Sequence, residues 1–185
     1  MALKLFIIAI ISLLLAGCAN TAYVNSNLAT TTAKTNFKHM IKISSPAFVN
    51  ATALPVDYTC DGEGVNPPLT IGEIPYTAKS LVLIADDPDA PKGVFTHWLV
   101  FDFDPKTREI PAGETPRGAV LGKNDFGKNE YGAPCPPSGT HRYFFHLYAL
   151  DAELNLPAGA SRAKVEAAMK GHIIDSAEIF ATYKR

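Results

Sequence analysis

The sequence predicts a mainly β domain of antiparallel strands with one or two short peripheral helices. Three segments, residues 80–86, 95–103 and 142–150, are short apolar runs bounded by turn-forming residues, as is typical of buried strands. The 14 prolines and 13 glycines favour many loops between short strands over a helical bundle. Hydrophobic residues make up 47% of the chain and charged residues 19%, which indicates a globular core and excludes a disordered chain.

The first 17 residues have the pattern of a secretory signal peptide. Lys4 supplies the positive charge, and residues 5–15 form an apolar run that is too short to span a bilayer as a helix. The tetrapeptide Leu-Ala-Gly-Cys that ends at Cys18 resembles the bacterial lipobox, in which the cysteine is acylated and becomes the new N-terminus. An ordinary signal peptide cleaved near Ala16 or Ala19 is the alternative. We expect a lipidated Cys18, because several acyl chains on one residue give stable membrane anchoring.

The segment after Cys18 indicates where the anchored protein resides. Ala19 is not the aspartate that, by the same resemblance, often retains lipoproteins at the inner membrane. We therefore expect a cell-envelope protein, on the outer membrane facing the periplasm if the host is Gram-negative. Residues 18–37 are rich in Asn, Thr, Ala and Ser without periodicity, which predicts a flexible tether behind the lipidated cysteine. The folded domain is predicted to span residues 38–185.

The strands of this domain follow from hydrophobic patterning. Residues 38–44 alternate in polarity and predict a first strand. Residues 80–86 form a buried strand that ends at Asp87-Pro88, and residues 95–103 are apolar on both faces. Residues 142–150 are rich in aromatic side chains, and residues 177–183 predict a final strand.

A long loop and a helix complete the domain. Residues 104–137 combine Pro, Gly, Asn and charged residues with little periodicity, and a segment of that length favours a functional role. Ser161 is a plausible N-cap of one helix, which Gly171 ends. The apolar face of this helix is predicted to comprise Val165, Ala168 and Met169.

Two cysteines lie within the folded domain. With Cys18 lipidated, Cys60 and Cys135 remain, and an even number in an oxidising compartment permits a disulfide. The alternative is two separate buried thiols. The sequence leaves this choice open, since it does not give the distance between the two residues.

The charge balance excludes one class of partner. The chain has 17 basic and 18 acidic residues, and loss of Lys4 with the signal peptide leaves 16 against 18, a net charge of about −2. Nucleic-acid binding requires a basic stripe or patch, which the sequence lacks. We therefore expect no nucleic-acid partner.

Acidic residues cluster where the strand at residues 80–86 ends. The turn Asp86-Asp87-Pro88-Asp89-Ala90-Pro91 brings three carboxylates together, and its two prolines restrict the backbone. Asx-turn hydrogen bonds and solvated charge would explain such a turn structurally. Crowded carboxylates at a strand end could also orient a histidine or receive an ammonium group.

Two histidines are candidate ligand contacts. Alternation in residues 95–103 places His97 on one face with Phe95, Leu99, Phe101 and Phe103, either as a core histidine or as a donor at the base of an apolar pocket. His141 and Tyr143 are two residues apart on one strand, so their side chains point to the same side. With the proline- and glycine-rich loop at residues 131–140, these groups could surround an anion, for which phosphate is the natural candidate.

Catalytic and metal-dependent alternatives have weaker support. Ser138, His141 and Asp87 include the residue types of a hydrolase, but no nucleophile-elbow pattern surrounds Ser138. His97, His141 and Asp87 lack any recognisable metal-ligand spacing. We therefore predict no catalytic residues, no metal site and no cofactor.

These segments together resemble a known family. The blocks are Asp87-Pro88-Asp89-Ala90-Pro91, Thr96-His97-Trp98, Gly132-Ala133-Pro134 and Gly139-Thr140-His141-Arg142-Tyr143. In this order they resemble the signature blocks of the phosphatidylethanolamine-binding protein family. The bacterial, Raf-kinase-inhibitor-like branch is the closer match and also has a Cys-Asp-Gly-Glu block like the one that begins at Cys60. The resemblance covers residues 38–185, and four blocks in order are far more specific than any one of them.

The resemblance implies an antiparallel β-sandwich with short helices and a small pocket for phosphate, acetate-like anions or phosphorylethanolamine head groups. The implied lining residues are Asp87, His97, His141 and Tyr143, with Ala133 and Pro134 at the rim and with Asp89 and Pro91 shaping the loop behind. The family usually has glycine at position 133 and the bacterial branch often has glycine at position 181. The methyl group of Ala133 is therefore expected to narrow the pocket mouth or to alter the local backbone.

The predicted function is non-enzymatic binding of a small anion or phospholipid head group by a protein held at the membrane through Cys18. The alternative is a protease- or kinase-inhibitor-like module with a protein partner. An envelope location argues against a cytosolic kinase as that partner.

Overall fold

The computed structural model describes residues 40–185, and the predicted signal peptide (1–17) and tether (18–37) lie outside the described residues. This part of the chain forms strands of 2 to 12 residues, one α-helix and a 3-10 turn at Val56–Tyr58. The strands are β1 (Lys42–Ser44), β2 (Thr52–Ala53), β3 (Leu69–Gly72), β4 (Ser80–Asp87), β5 (Phe95–Phe103), β6 (Glu109–Ile110), β7 (Val120–Leu121), β8 (Thr140–Leu150) and β9 (Ile173–Lys184). The helix α1 spans Arg162–Met169.

The strands form two sheets. One has three strands in the order β1-β3-β6, and the other has six in the order β2-β9-β8-β4-β5-β7. All pairs are antiparallel except β2 with β9, which is parallel. The structure thus confirms the predicted mainly β, largely antiparallel fold.

Two hydrophobic cores hold these layers together. The larger core lies between the sheets and includes Ile71 of β3, Leu83 of β4 and Phe145 of β8. The smaller core lies on the other face of the large sheet, where Val165 and Met169 of α1 pack. Every residue of β4 is buried because both of its faces are covered, which explains its uninterrupted apolar sequence.

The three apolar runs correspond to the central strands β4, β5 and β8 of the large sheet. The outer predictions differ from the structure in length: β1 is confined to Lys42–Ser44, and β9 extends from Ile173 to Lys184. The extension follows from pairing, because β9 runs alongside β8 for nearly its full length. The first residues of β9, Ile173 and Ile174, are both exposed and lack the alternation that marks a half-buried strand.

The prediction that side chains alternate regularly between the two faces of β5 is wrong in the middle of the strand. Ala85 and Asp86 of β4 pair with Trp98 and Thr96, which leaves His97 as the extra residue of a β-bulge. The bulge reverses the parity of the strand, so His97 and Trp98 both face the side of the sheet that carries the larger core.

Leu99 and Phe101 therefore do not share the face of His97, and instead belong to the smaller core beside α1. A second irregularity lies at Asp102, whose φ of 55° is left-handed. This irregularity returns Phe103 to the larger core.

The predicted helix is confirmed, with Ser161 at its N-terminal boundary and Gly171, at φ 86°, just beyond its end. Ser161 caps through its backbone carbonyl, which accepts hydrogen bonds from Lys164 and Val165, and its hydroxyl makes no capping bond. Among residues 40–185, no helix has the length and hydrophobicity that a membrane crossing requires.

Candidate functional site

A cavity opens where β4 ends and where β5 and β8 begin. Its volume is about 230 Å³, and we call it the histidine cavity. Its lining consists of Asp87, Ala90, Pro91, Phe95, His97, Phe126, Cys135, Pro137, His141 and Tyr143. Four of the residues expected from the sequence to form a pocket, Asp87, His97, His141 and Tyr143, thus come together in one place.

His141 is held by Asp87. Its Nδ1 lies 2.7 Å from Oδ2 of Asp87, and both side chains are buried. The other carboxylate oxygen of Asp87 accepts the backbone N–H of Asp89 at 2.8 Å. The carboxylate accepts a hydrogen bond from Nδ1–H and thereby fixes the ring orientation, so that Nε2 of His141 is the nitrogen left for a ligand.

His97 is held by the backbone. Its Nδ1 lies 2.6 Å from the carbonyl oxygen of Gly132. Since a carbonyl oxygen only accepts, Nδ1 carries the proton, and Nε2 of the neutral ring carries the lone pair. Burial lowers the pKa of His97, and the hydrogen bond to Gly132 and the charge of Asp87 offset only part of this effect. The free protein therefore holds this ring in its neutral form near pH 7.

Tyr143 contributes an unpaired hydroxyl. It is a buried side-chain oxygen without a hydrogen-bond partner among the described residues. Burial, followed by the negative charge of Asp87 and the approach of that carboxylate to the hydroxyl, raises the pKa of Tyr143, so the hydroxyl keeps its proton. Its ring meets that of His97 edge to face, with centroids 5.3 Å apart. A buried hydroxyl without a partner is costly, and a ligand acceptor would relieve that cost.

Asp89 and Pro91 form the loop beside the cavity. Asp89 accepts two hydrogen bonds from the guanidinium of Arg142, at 2.8 and 2.7 Å, and a third from its backbone N–H at 3.0 Å. The hydrogen bonds from Arg142 lower the pKa of Asp89 to about 2. Asp89 thus ties the loop to β8, in keeping with the loop-shaping role expected for it, whereas Pro91 lines the cavity directly.

The structure does not place Ala133 and Pro134 in the cavity lining. Pro134 is buried, and its carbonyl oxygen accepts the N–H of Cys60 at 3.0 Å. Ala133 lies near Gly64 and lines a neighbouring cavity together with Phe126. The methyl group of Ala133 therefore does not narrow the mouth, and its backbone is not left-handed.

Phe126, in the long loop, lines the cavity and was missed in the sequence analysis, whereas Cys135 and Pro137 belong to the loop at residues 131–140 that was expected to help surround an anion, although neither was named there as a contact. Phe126 packs against Phe95 with ring centroids 4.8 Å apart and is 49% exposed. The one feature of the sequence that could have indicated Phe126 as a cavity wall is the presence of an aromatic residue within a polar turn. Its position relative to the histidines depends on how residues 104–137 wrap back over β5, which local patterning does not give.

Cys60 and Cys135 form a disulfide with their Cα atoms 5.4 Å apart. The bond ties the segment after the 3-10 turn to the loop that walls the histidine cavity. The sequence left open whether these cysteines form a disulfide or two separate thiols, and the structure contains the disulfide.

A second polar cluster lies on the opposite face of the sheet. Asp86, the neighbour of Asp87, is 4% exposed and accepts from Nη1 of Arg162 at 2.7 Å. His146 lies 3.3 Å from the other carboxylate oxygen of Asp86 and 3.0 Å from Glu178. Burial alone would raise the pKa of Asp86, but the hydrogen bonds and charges of His146 and Arg162 outweigh it and lower that pKa.

His146 shows the complementary shift. Burial opposes its charge, but hydrogen bonds and charges from Asp86 and Glu178 outweigh burial and raise the pKa of His146. This cluster links β4, β8, β9 and α1, and its charged groups are paired with one another.

Comparison with known proteins assigns the chain to a family. Residues 44–184 match the family model described as phosphatidylethanolamine-binding protein. A UPF0098 protein of Methanothermobacter thermautotrophicus is 47% identical over 150 residues, which cover 78% of this chain and 99% of the relative. A UPF0098 protein of Aquifex aeolicus is 46% identical over 153 residues, covering 79% of this chain and 90% of the relative.

Solved structures agree. A Chlamydia trachomatis protein described as a homolog of phosphatidylethanolamine-binding protein superposes with a TM-score of 0.77 at 39% identity, covering 80% of this chain and 99% of that one. E. coli YbcL, described as a member of the mammalian PEBP family, superposes with a TM-score of 0.73 at 28% identity, covering 78% and 98%. The fold, the order of the motif blocks and these matches lead to one conclusion: the chain belongs to the phosphatidylethanolamine-binding protein family.

Proposed function

We propose that this protein is a non-enzymatic, envelope-anchored binding protein that holds phosphate, or the phosphorylated head group of a larger molecule, in the histidine cavity. One observation carries the proposal: Nε2 of His97, Nε2 of His141 and the hydroxyl of Tyr143 lack partners among the described residues and line one cavity. A cavity of about 230 Å³ accommodates a phosphoryl group with bound water.

The tautomers define how an anion would be held. The Tyr143 hydroxyl donates directly to a phosphate oxygen. Nε2 of a neutral imidazole accepts a hydrogen bond from a protonated phosphate oxygen, whereas Nε2–H of an imidazolium donates to an ionised one. The charge of Asp87 favours the charged form of His97, so anion binding and proton uptake by that ring support each other.

An NMR titration tests the proposal. Residues 38–185 suffice, because the matched region makes up 99% of the complete Methanothermobacter relative. Inorganic phosphate is expected to shift the resonances of His97, His141 and Tyr143 saturably. Tyr143→Phe should weaken binding about tenfold, the loss of one hydrogen bond to a charged group.

The same substitution should leave the free energy of unfolding nearly unchanged, since the hydroxyl has no protein partner to lose. Tyr76→Phe is the matched control, because Tyr76 is 91% exposed. An absence of shifts in the wild type at millimolar phosphate would make the inhibitor-like, protein-binding alternative the leading hypothesis.

Phosphate affinity should rise as pH falls. Burial lowers the pKa of His97 in the free protein, and a bound anion raises it again, so binding takes up a proton. The affinity therefore increases as pH falls towards the pKa of the free ring. Titrations at several pH values, with His97→Gln for comparison, measure this slope, and a pH slope that survives in the variant would exclude His97 as its source.

Membrane anchoring through Cys18 is a separate part of the proposal, resting on the lipobox-like sequence before that residue. Cys18→Ser should move the full-length protein from the membrane fraction to the soluble envelope fraction, because it removes the acylated side chain. Wild type expressed in parallel is the control. Retention of Cys18→Ser in the membrane fraction would contradict lipidation at this residue.

A further inference from the structure

The histidine cavity has a neighbour with which it shares two walls. This second cavity, which we call the side cavity, has a volume of about 370 Å³. Its lining consists of Cys60, Asn124, Phe126, Lys128, Glu130, Tyr131, Gly132, Ala133 and Cys135. Phe126 and Cys135 line both cavities, so the two adjoin along these residues.

Phe126 is held at this boundary. Its ring makes T-shaped contacts with the rings of Phe95 and His97, at centroid distances of 4.8 and 5.5 Å. The ring also covers Gly132, where any Cβ would come within 2.4 Å of it. A glycine is therefore required at position 132 for the ring to occupy this place, and the carbonyl group of that glycine orients His97.

The loop that carries Phe126 is fixed at its base. Asn124 is 3% exposed, and its amide group donates to the carbonyl oxygen of Glu130 at 2.8 Å. Its side-chain oxygen accepts the N–H of Lys128 at 2.9 Å. These bonds close the turn beneath Phe126 and present the ring as a preformed wall.

The side cavity differs chemically from the histidine cavity. Its polar groups are paired within the chain: Lys128 with Glu130 at 3.0 Å, and the hydroxyl of Tyr131 with the carbonyl oxygen of Tyr58 at 3.1 Å. The surfaces left for a ligand are the ring of Phe126, the methyl group of Ala133 and the sulfur of Cys60, since the sulfur of Cys135 accepts a hydrogen bond from Arg185 at 3.3 Å. Such walls favour an uncharged, apolar group over a second anion.

We infer that the two cavities form one bipartite site for an organic phosphate monoester. The phosphoryl group occupies the histidine cavity, and an aryl or alkyl substituent passes Phe126 and Cys135 into the side cavity. This inference rests on the proposed function and adds the class of ligand. A substituent on this path meets apolar surface and no unpaired charge among the described residues, so its burial adds affinity that free phosphate lacks.

The affinity ratio between two probes tests the inference. Phenyl phosphate is expected to bind residues 38–185 about tenfold more tightly than inorganic phosphate, since part of one aromatic ring becomes buried. Methyl phosphate, which is too short to reach the side cavity, should bind like inorganic phosphate. In NMR spectra, phenyl phosphate alone should also shift the amides of Tyr131 and Ala133.

Ala133→Leu fills the side cavity and should reduce the ratio from about tenfold to about one. Ala112→Leu makes the same chemical change at an exposed position and should keep the wild-type ratio. If Ala133→Leu does not fold, Phe126→Ala replaces it, and its ratio should fall as well, because the shared aromatic wall is lost.

The outcomes separate the inference from the proposed function. Failure of the wild type to bind phosphate or either ester overturns both. Phosphate binding with equal affinity for phenyl phosphate overturns the bipartite site and leaves the proposed function standing. A tenfold ratio that persists in the side-cavity variants also overturns the inference, because the substituent would then lie elsewhere.

Discussion

Replacement of Cys60 and Cys135 by alanine is expected to lower the free energy of unfolding by about 4 kcal/mol. The disulfide joins residues 75 positions apart, so its loss returns considerable conformational freedom to the unfolded chain. The folded chain also loses the link that ties the wall of the histidine cavity to the segment at Cys60. Phosphate affinity should fall with stability, because Cys135 and Pro137 line that cavity.

Denaturant unfolding of residues 38–185 with and without reductant measures this effect. The reductant should shift the wild-type midpoint to that of the double variant and leave the variant itself unchanged, which controls for side-chain effects of the alanines. Equal midpoints for oxidised wild type and variant would show that the bridge does not stabilise the fold.

Arg162→Ala should destabilise the protein by about 3 kcal/mol, the cost of removing one partner of a buried ion pair. The carboxylate of Asp86 is 5% exposed and takes its shortest hydrogen bond from Arg162. His146 remains as the second partner at 3.3 Å. The cost should therefore depend on whether His146 is protonated.

The pH dependence follows from the two pKa shifts. The pKa of Asp86 is lowered, so its contribution is present above its ordinary value of 3.8 and is lost as pH falls through the folded value. The pKa of His146 is raised, so its contribution is present below 6.5 and is lost as pH rises through the folded value. The cluster stabilises the fold most between these limits. The loss of unfolding free energy caused by Arg162→Ala should grow as pH rises through the folded pKa of His146, because Asp86 then loses its second charged partner.

Denaturant unfolding at about pH 5.5 and about pH 8 measures this change. Arg142→Ala is the matched control, because the Arg142–Asp89 pair is also an arginine–aspartate ion pair but is more exposed to solvent. It should cost much less and show no comparable growth with pH. A deficit for Arg162→Ala that stays constant across this range would show that His146 does not support Asp86.

The sequence alone determined the fold class and much of the site. The central strands are short apolar runs bounded by turn-forming residues, and this pattern is typical of buried strands wherever they lie in a sheet. His141 and Tyr143 share a face because both lie on a regular strand, where a two-residue spacing suffices. The ordered motif blocks identified the family without any structural information.

Tertiary structure decided the rest. A bulge in pairing with β4, which the sequence of β5 does not encode by itself, turns His97 towards Tyr143. Phe126 and Cys135 line the histidine cavity because the loop at residues 104–137 wraps back over β5. The same path places Ala133 in the side cavity instead. Asp86 and Asp87 are adjacent in the chain but serve opposite faces of the sheet. Strand pairing and long-range loop contacts set these positions, and both depend on residues distant in the sequence.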